Sequence, residues 1–352
     1  MEPDSVSQSD SLARYTRQML FPPLGHEGQR RLRASTALVV GCGALGSVIA
    51  ETLVRSGVGC VRIVDRDFLE LHNLQRQVLF DESDVASGLP KAIAAQKKLQ
   101  AINSEVRVEA FVEDLDFKNI ERLARGVSVM VDGTDNFESR FLLNDYALES
   151  MTPWIYGGCI GSEGQSLTIV PGKSNCLNCL MTEGPPPPGS TAGCDLAGIL
   201  APVVNVIASI EATEALKILS GNLEAVSADL TVVDIWAGRF TKMRLGQLAE
   251  KVDCPACRQG KRNWLTGTQS TRVAVLCGQN SVQIRPNSEG QMDFEALAAQ
   301  LATHGQVQHN EYLLKLQLPS YTLTLFPDGR AIISGTDDPA KARSLYAQWV
   351  GS

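Results

Sequence analysis

ALVVGCGALGSVIAETLVRSGVGCVRIVD, residues 37–65, is the stretch on which the fold turns. Ala37 to Val40 is a short apolar run of the kind that forms a strand buried on both faces. GCGALG, residues 41–46, turns the chain, and Ser47 to Ser56 has helical spacing. Gly57 and Gly59 break that helix, and Cys60 to Val64 makes a second apolar run ending at Asp65. The order strand, glycine loop, helix, strand, acid fits G-x-G-x-x-G. In that arrangement backbone N–H groups and a helix N-terminus face a phosphate. Alone, the loop mostly signals a dinucleotide-binding oxidoreductase, a serious rival to an ATP enzyme. An acid after the second strand serves the ribose of NAD or of ATP.

Outward from this unit the alternation continues. Residues 90–100 read as a helix, 106–111 and 127–131 as strands, 137–150 as a helix, and 154–158 and 165–170 as strands. Repeated β-α-β units predict an α/β fold, a Rossmann-like, mainly parallel sheet with helices on both faces. Ligands of such sheets bind beyond the carboxyl ends of the strands, where Asp65 and Asp135 fall. Upstream, residues 12–33 read as helical and carry Arg14, Arg17, Arg30, Arg31 and Arg33. Downstream, EGPPPPGSTAGC (183–194) reads as a crossing loop, since proline disfavours helix. A long apolar helix follows over 199–220, closed by Gly221. From about Asn263 a small α+β unit is expected, with strands at 272–276, 281–285, 312–318 and 321–326 and helices at 293–303 and 339–350. PDGR, 327–330, is its hairpin turn. The expected division is a disordered tail over 1–11, a nucleotide-binding domain over 12–260, and the small domain over 263–352.

Composition narrows the partners. A net charge of −7 over 352 residues argues against nucleic acid, which needs a basic face. No apolar stretch is long enough for a bilayer. MEPDSVSQSD lacks the basic start and apolar run of a secretion signal, so a cytoplasmic protein is expected. Nine cysteines, an odd number, do not suggest a disulfide framework. Four of them form two C-x-x-C pairs, Cys176/Cys179 and Cys254/Cys257. These read as two knuckles of one tetrahedral, structural Zn²⁺ site, with two redox dithiols or unpaired buried cysteines as the alternative.

Further residues separate ATP chemistry from dehydrogenation. DRDFLELHNLQRQ spans Asp65 to Gln77, GLPK ends at Lys91, and TDN spans 134–136. Adenylation of a carboxylate builds charge on phosphate oxygens, which cationic side chains and Mg²⁺ stabilise. Arg76 and Lys91 supply that charge, and Asp135 suits Mg²⁺. Taken singly, Arg14, Arg17 and Arg76 read as solvated charges, Lys91 as a helix start and Asp135–Asn136 as a turn. Their joint order reverses that.

With ARYTRQ, VVGCGALG, the 65–77 stretch, GLPK, GTDN with Arg140 and Asn144, both cysteine pairs, and GILAPVVNVIASIEATEALKILSG, residues 12–260 resemble the MoeB/ThiF family of sulfur-carrier protein adenylyltransferases, relatives of the ubiquitin-activating enzymes. The resemblance implies that Gly41, Gly43 and Gly46 shape the nucleotide loop. Asp65 would bind the ribose, Asp67 and Asn73 would line the site, and Arg76, Gln77 and Lys91 would contact the phosphates. Asp135 would coordinate Mg²⁺ with Asn136 beside it. Arg17 would reach the ATP phosphates of a neighbouring subunit, which implies a homodimer. The family pattern usually has glycine where this chain has Ala44. The implied reaction joins ATP to the C-terminal carboxylate of a small ubiquitin-like carrier of MoaD or ThiS type, ending in Gly-Gly, and releases pyrophosphate. The carrier would then take sulfur from a separate donor, such as a cysteine desulfurase or rhodanese, for molybdopterin, thiamine or thiolated-tRNA synthesis.

Cys194 has two readings. In the family a cysteine here can form a thioester or acyl disulfide with the carrier, and a thiolate would attack an acyl-adenylate readily. Adenylation alone does not need it, so it is equally a bystander. The C-terminal unit does not match a rhodanese, and Cys277 sits too early in it for a persulfide carrier. Rival functions are a related adenylation of another acceptor, a peptide or a tRNA base, and an NAD-dependent dehydrogenase.

Overall fold

The computed structural model describes residues 12–185, 198–269, 273–276, 280–284 and 292–350. These form two compact units that meet in sequence near residue 268.

The larger unit is built on an eight-stranded sheet in the order β3-β2-β1-β4-β5-β6-β7-β8. The strands are β1 (Thr36–Val40), β2 (Cys60–Val64), β3 (Arg107–Phe111), β4 (Val129–Asp132), β5 (Trp154–Ile160), β6 (Glu163–Ile169), β7 (Leu230–Asp234) and β8 (Arg239–Met243). The first five in spatial order pair parallel, with Val39 opposite both Ile63 and Val131. From β5 to β8 the pairing is antiparallel.

Strand alternation explains why helices cover both faces. Ala37, Val39, Val61, Ile63, Val129, Val131 and Ile155 face one core. That core also takes side chains from α3 (Ala44–Arg55), α5 (Lys91–Ile102) and α9 (Ala201–Ser220). Leu38, Val40, Met130, Trp154 and Tyr156 face the other, against Phe141, Leu142 and Leu143 of α7 (Phe137–Ser150). With both faces covered, the central strands are apolar at every position, which is how β1 reads in the sequence. Trp154 is among the largest fully buried side chains, and its truncation to alanine would cost about 3–5 kcal/mol.

Two departures from the sequence reading have plain causes. The basic segment over 12–33 is not continuous. It holds a short helix, α1 (Thr16–Met19), and a second, α2 (Gly25–Ala34). Pro22 and Pro23 fall in the gap, where they lack a donor and restrict the preceding residue. The hairpin of β7 and β8 was not expected at all. β8 is exposed at every residue, so it carries no alternation to read.

The smaller unit holds a six-stranded antiparallel sheet, β11-β12-β13-β14-β10-β9. Its strands are β9 (Val273–Leu276), β10 (Ser281–Ile284), β11 (Gln306–His309), β12 (Leu314–Gln317), β13 (Thr322–Leu325) and β14 (Ala331–Ser334). Leu314, Leu316, Leu323, Leu325 and Ile333 share a core with Phe294 and Leu301 of one helix (Phe294–Leu301) and Leu345 of another (Pro339–Trp349). Asp293 and Asp338 cap those helices. β11 and β14 fall outside the expected strands; β11 is mostly exposed, so it carries little alternation to read.

Candidate functional site: a glycine cradle ringed by acids and one buried lysine

The site lies at the carboxyl ends of β1, β2 and β4. Gly41 has φ +83°, and a Cβ there would stand 2.6 Å from the Gly133 carbonyl oxygen. A Cβ on Gly46 would stand 1.8 Å from the Gly41 oxygen. The backbone itself therefore demands these two glycines. Gly43 is different: a Cβ there meets only Gln77 Nε2, at 3.8 Å. That position keeps open space over the N-terminus of α3, which no side chain caps. Uncapped first-turn N–H groups and the helix dipole favour an anion there.

Asp65 ends β2, buried. Its carboxylate accepts from the Cys42 N–H (2.6 Å) and the Asp67 N–H (2.7 Å), which fixes the loop to the strand end. Burial pushes its carboxyl up to about 6, against the pull of Lys91. Burial likewise raises the Cys42 thiol and leaves it inert.

Lys91 opens α5. Its N–H donates to the Asp67 carbonyl (2.8 Å) and its Nζ to Asp67 Oδ2 (3.3 Å). Burial opposes its charge, but Asp67, Asp65 and Asp135 outweigh burial and hold the ammonium protonated. Burial also works against ionisation of Asp67, and Lys91 and Arg66 overcome it, so Asp67 lies below the usual carboxylate range. Arg66 is held by Asp114 at 2.8 Å and lies 3.6 Å from Asp67. Neither Arg66 nor Asp114 stood out in the sequence. Their pairing depends on the β2–β3 register, which no local pattern reports.

The remaining expected residues divide. Gln77 is buried, and its Oε1 has no hydrogen-bond partner among the described residues. Arg76 is half-buried and donates to the His72 carbonyl (3.2 Å). Asn73 is buried and engaged locally, accepting the Glu70 N–H (3.0 Å) in a reciprocal cap of the short turn that carries Arg76 and Gln77. Asn136 caps α7 by accepting the Ser139 N–H (2.9 Å), leaving Asp135 exposed one residue before it. Behind that loop, Arg140 donates to Asp132 (3.1 Å), to the Thr134 carbonyl (2.8 Å) and to the Gly157 carbonyl (3.0 Å). Arg17 is exposed and makes no hydrogen bond or ion pair among the described residues. Cys194 and Cys277 lie outside the described residues, as do residues 1–11.

A second centre joins the two C-x-x-C pairs. Cys176 Sγ lies 3.7 Å from both Cys179 and Cys254 Sγ, and Cys179 lies 3.5 Å from Cys257. All four sulfurs fall within 4.8 Å of one another and could hold a metal ion. A disulfide would need about 2.05 Å. Four thiolates at about 2.3 Å around one tetrahedral ion stand roughly 3.8 Å apart. Asn144 fastens this centre to α7, accepting the Leu177 N–H (2.8 Å) and donating to Asn178. Asp145 accepts the N–H of Trp264 (2.9 Å), beyond the second pair.

No helix among the described residues is long and apolar enough to cross a membrane. The sequence profile of the ThiF family matches residues 15–256, and this chain belongs to that family. It is 44% identical over 339 residues to the sulfur carrier protein ThiS adenylyltransferase of Bacillus subtilis, covering 96% of this chain and 99% of that one. It is 38% identical over 253 residues to the sulfur carrier protein adenylyltransferase of Thermus thermophilus, covering 70% and 91%. Among solved structures, Escherichia coli MccB with ATP superposes with a TM-score of 0.56 at 25% identity, over 66% of this chain and 72% of that one. The Bacillus likeness extends past the family profile and through the small C-terminal unit.

Proposed function

We propose that this protein adenylates the C-terminal carboxylate of a small ubiquitin-like sulfur carrier, of the ThiS type in the first instance. The observation that carries the reading is Lys91, a buried ammonium ringed by Asp65, Asp67 and Asp135 at the foot of an open glycine cradle. Hydride transfer has no use for such a cation. Cleavage at an α-phosphate does, because negative charge grows on its oxygens. The near full-length likeness to a ThiS adenylyltransferase favours ThiS among the carriers.

In this reading the open N-terminus of α3 receives phosphate, and Asp65 accepts the ribose hydroxyls. A carrier carboxylate oxygen attacks the α-phosphorus, the bond to the bridging oxygen breaks, and pyrophosphate leaves with the electron pair. The carrier is the nucleophile, so no side chain need act as one. Lys91 and Arg76 neutralise phosphate charge, and the Gln77 side-chain amide, whose Nε2 stands nearest Gly43, donates to a phosphate oxygen. Asp135, exposed where the loop opens, would hold Mg²⁺, which supplies Lewis-acid charge at the phosphates when bound. The four cysteines would hold Zn²⁺ in a closed, structural site. Arg17, exposed and with no side-chain hydrogen bond or ion pair among the described residues, would complete the site of a second copy, so the enzyme works as a homodimer. A separate sulfur donor would act on the adenylated carrier.

ATP–pyrophosphate exchange tests this, with ThiS-like and MoaD-like carriers added separately and Asp135→Ala as control. Exchange that requires the ThiS-like carrier and disappears in the variant is the expected result. ATP binding without exchange on any carrier points to another acceptor, and no ATP binding overturns the reading.

A further inference from the structure

Glu211 lies in the middle of α9 and is fully buried; Glu214, three residues on, is the helix's other buried acid. Neither carboxyl oxygen of Glu211 has a hydrogen-bond partner among the described residues. Glu211 rests on Gly157 of β5. A Cβ built at Gly157 would stand 2.3 Å from Glu211 Oε1, 2.4 Å from Cδ and 2.5 Å from Oε2. The flat carboxyl thus occupies the place where any other residue at 157 would carry its side chain. An unpartnered buried carboxyl is costly, and an apolar side chain would serve packing alone at less cost.

What lies next to Gly157 gives the carboxyl its use. The Gly157 carbonyl accepts from Arg140 Nη2 (3.0 Å), and the same nitrogen donates to the Thr134 carbonyl (2.8 Å). Thr134 precedes Asp135. Arg140 is therefore a clamp between β5 and the loop that presents Asp135, and Glu211 backs one jaw of it.

We propose that Glu211 is a positioning residue for adenylation: its carboxyl braces Gly157, so that Arg140 keeps hold of Thr134 and aims Asp135. The inference rests on the role given to Asp135 above. Burial first, and then Asp132 of β4, hold the Glu211 carboxyl well above the ordinary carboxylate range, and Arg140 pulls weakly the other way. Tyr156 of β5 is the other titratable group that senses it. Burial among these groups favours the neutral acid over the carboxylate. An ionised Glu211 would compete with Asp132 for Arg140 and draw the guanidinium off the Thr134 carbonyl.

The test uses the full chain with its carrier. Glu211→Gln keeps shape and neutrality and should retain exchange within about twofold. Glu211→Ala should lower kcat on the order of tenfold or more while leaving the KM for ATP unchanged, as expected when geometry rather than affinity is lost. Gly157→Ala should fail similarly, and Gly157→Ala with Glu211→Ala should regain exchange, because the new methyl fills the vacated place. Thermal melting checks that each variant folds. Infrared spectra should show the C=O stretch of a protonated carboxylic acid that Glu211→Gln lacks. Glu211→Gln as impaired as Glu211→Ala, or Glu211→Ala with wild-type kcat, overturns the proposal. Asp135→Ala run alongside separates the two ideas. If it keeps full exchange, the role of Asp135 is wrong; if it is dead while Glu211→Ala is active, the brace is wrong.

Discussion

Replacing Lys91 by methionine removes one charge from the centre of three carboxylates and keeps most of the volume. Two effects should separate. The first is on stability. The Lys91 side chain is 9% exposed and that of Asp67 45% exposed, so their pair is only partly desolvated. A surface pair is worth up to about 1 kcal/mol, and breaking a fully buried one costs about 3–5 kcal/mol. An intermediate loss of about 2 kcal/mol is expected, lowering Tm by roughly 4–8 °C for a unit of this size. The second effect is on catalysis. Losing a preorganised cation at the phosphates should lower exchange on the order of 10²–10³-fold. Adding Asp67→Asn removes the carboxylate that Lys91 had balanced. The double variant should therefore recover most of the lost stability by chemical denaturation. Its exchange should stay far below that of Asp67→Asn alone. Exchange equal to the Asp67→Asn single would mean that Lys91 serves only to neutralise Asp67, and the phosphate role assigned to it would be refuted.

Other outcomes follow from the same geometry. Cys254→Ser should strip zinc from the purified chain, measured by atomic emission, and lower Tm by about 5–10 °C, since a closed thiolate site contributes directly to folding. Mixing Arg17→Ala and Asp135→Ala chains in equal amounts and allowing subunit exchange should restore about a quarter of wild-type activity, because half the dimers are mixed and each has one complete site; no recovery in mixed dimers would place Arg17 outside the neighbour's site. Asp65, with its carboxyl raised to about 6, must ionise to accept ribose hydroxyls fully, so ATP affinity by calorimetry should weaken about tenfold per pH unit below 6, and Asp65→Asn should flatten that slope. The same raised value means that the folded state holds this proton more tightly than the unfolded chain, so the stabilisation is complete below about pH 4 and is lost as pH rises through 6. Asp145, also raised to about 6, adds in the same direction, and urea midpoints from pH 4 to 7 measure both.

Much of the site was legible because its requirements are local. Gly41 and Gly46 are fixed by clashes with carbonyls of the same loop or the adjoining strand end, so the six-residue glycine pattern reports them. Cys176/Cys179 and Cys254/Cys257 each sit on one turn of chain, so spacing shows each knuckle, although only the fold brings their sulfurs within 3.7 Å. Asp65 could be placed because it ends an apolar strand. The sequence could also show that β1 was a central strand, since each of its last four residues has a core to face.

What escaped reading depends on register between distant segments. Arg66 and Asp114 meet only because β2 lies beside β3, and Arg140 meets the Gly157 carbonyl only because β5 lies beside β4. Glu211 shows the limit most clearly. In a mostly apolar twenty-residue helix, Glu211 and Glu214 read as solvent-facing breaks in the core pattern, and the Gly157–Gly158 pair in β5 reads as a weak stretch of strand. Neither observation means anything until the two coincide, carboxyl on Cα, beside an arginine that holds the next loop. The residues that touch ATP in the proposed reaction can be found by motif because the ligand imposes the same demands on each of them. Those that aim such residues answer to the packing of this chain alone, and they can be found only from contacts such as the carboxyl of Glu211 on Gly157.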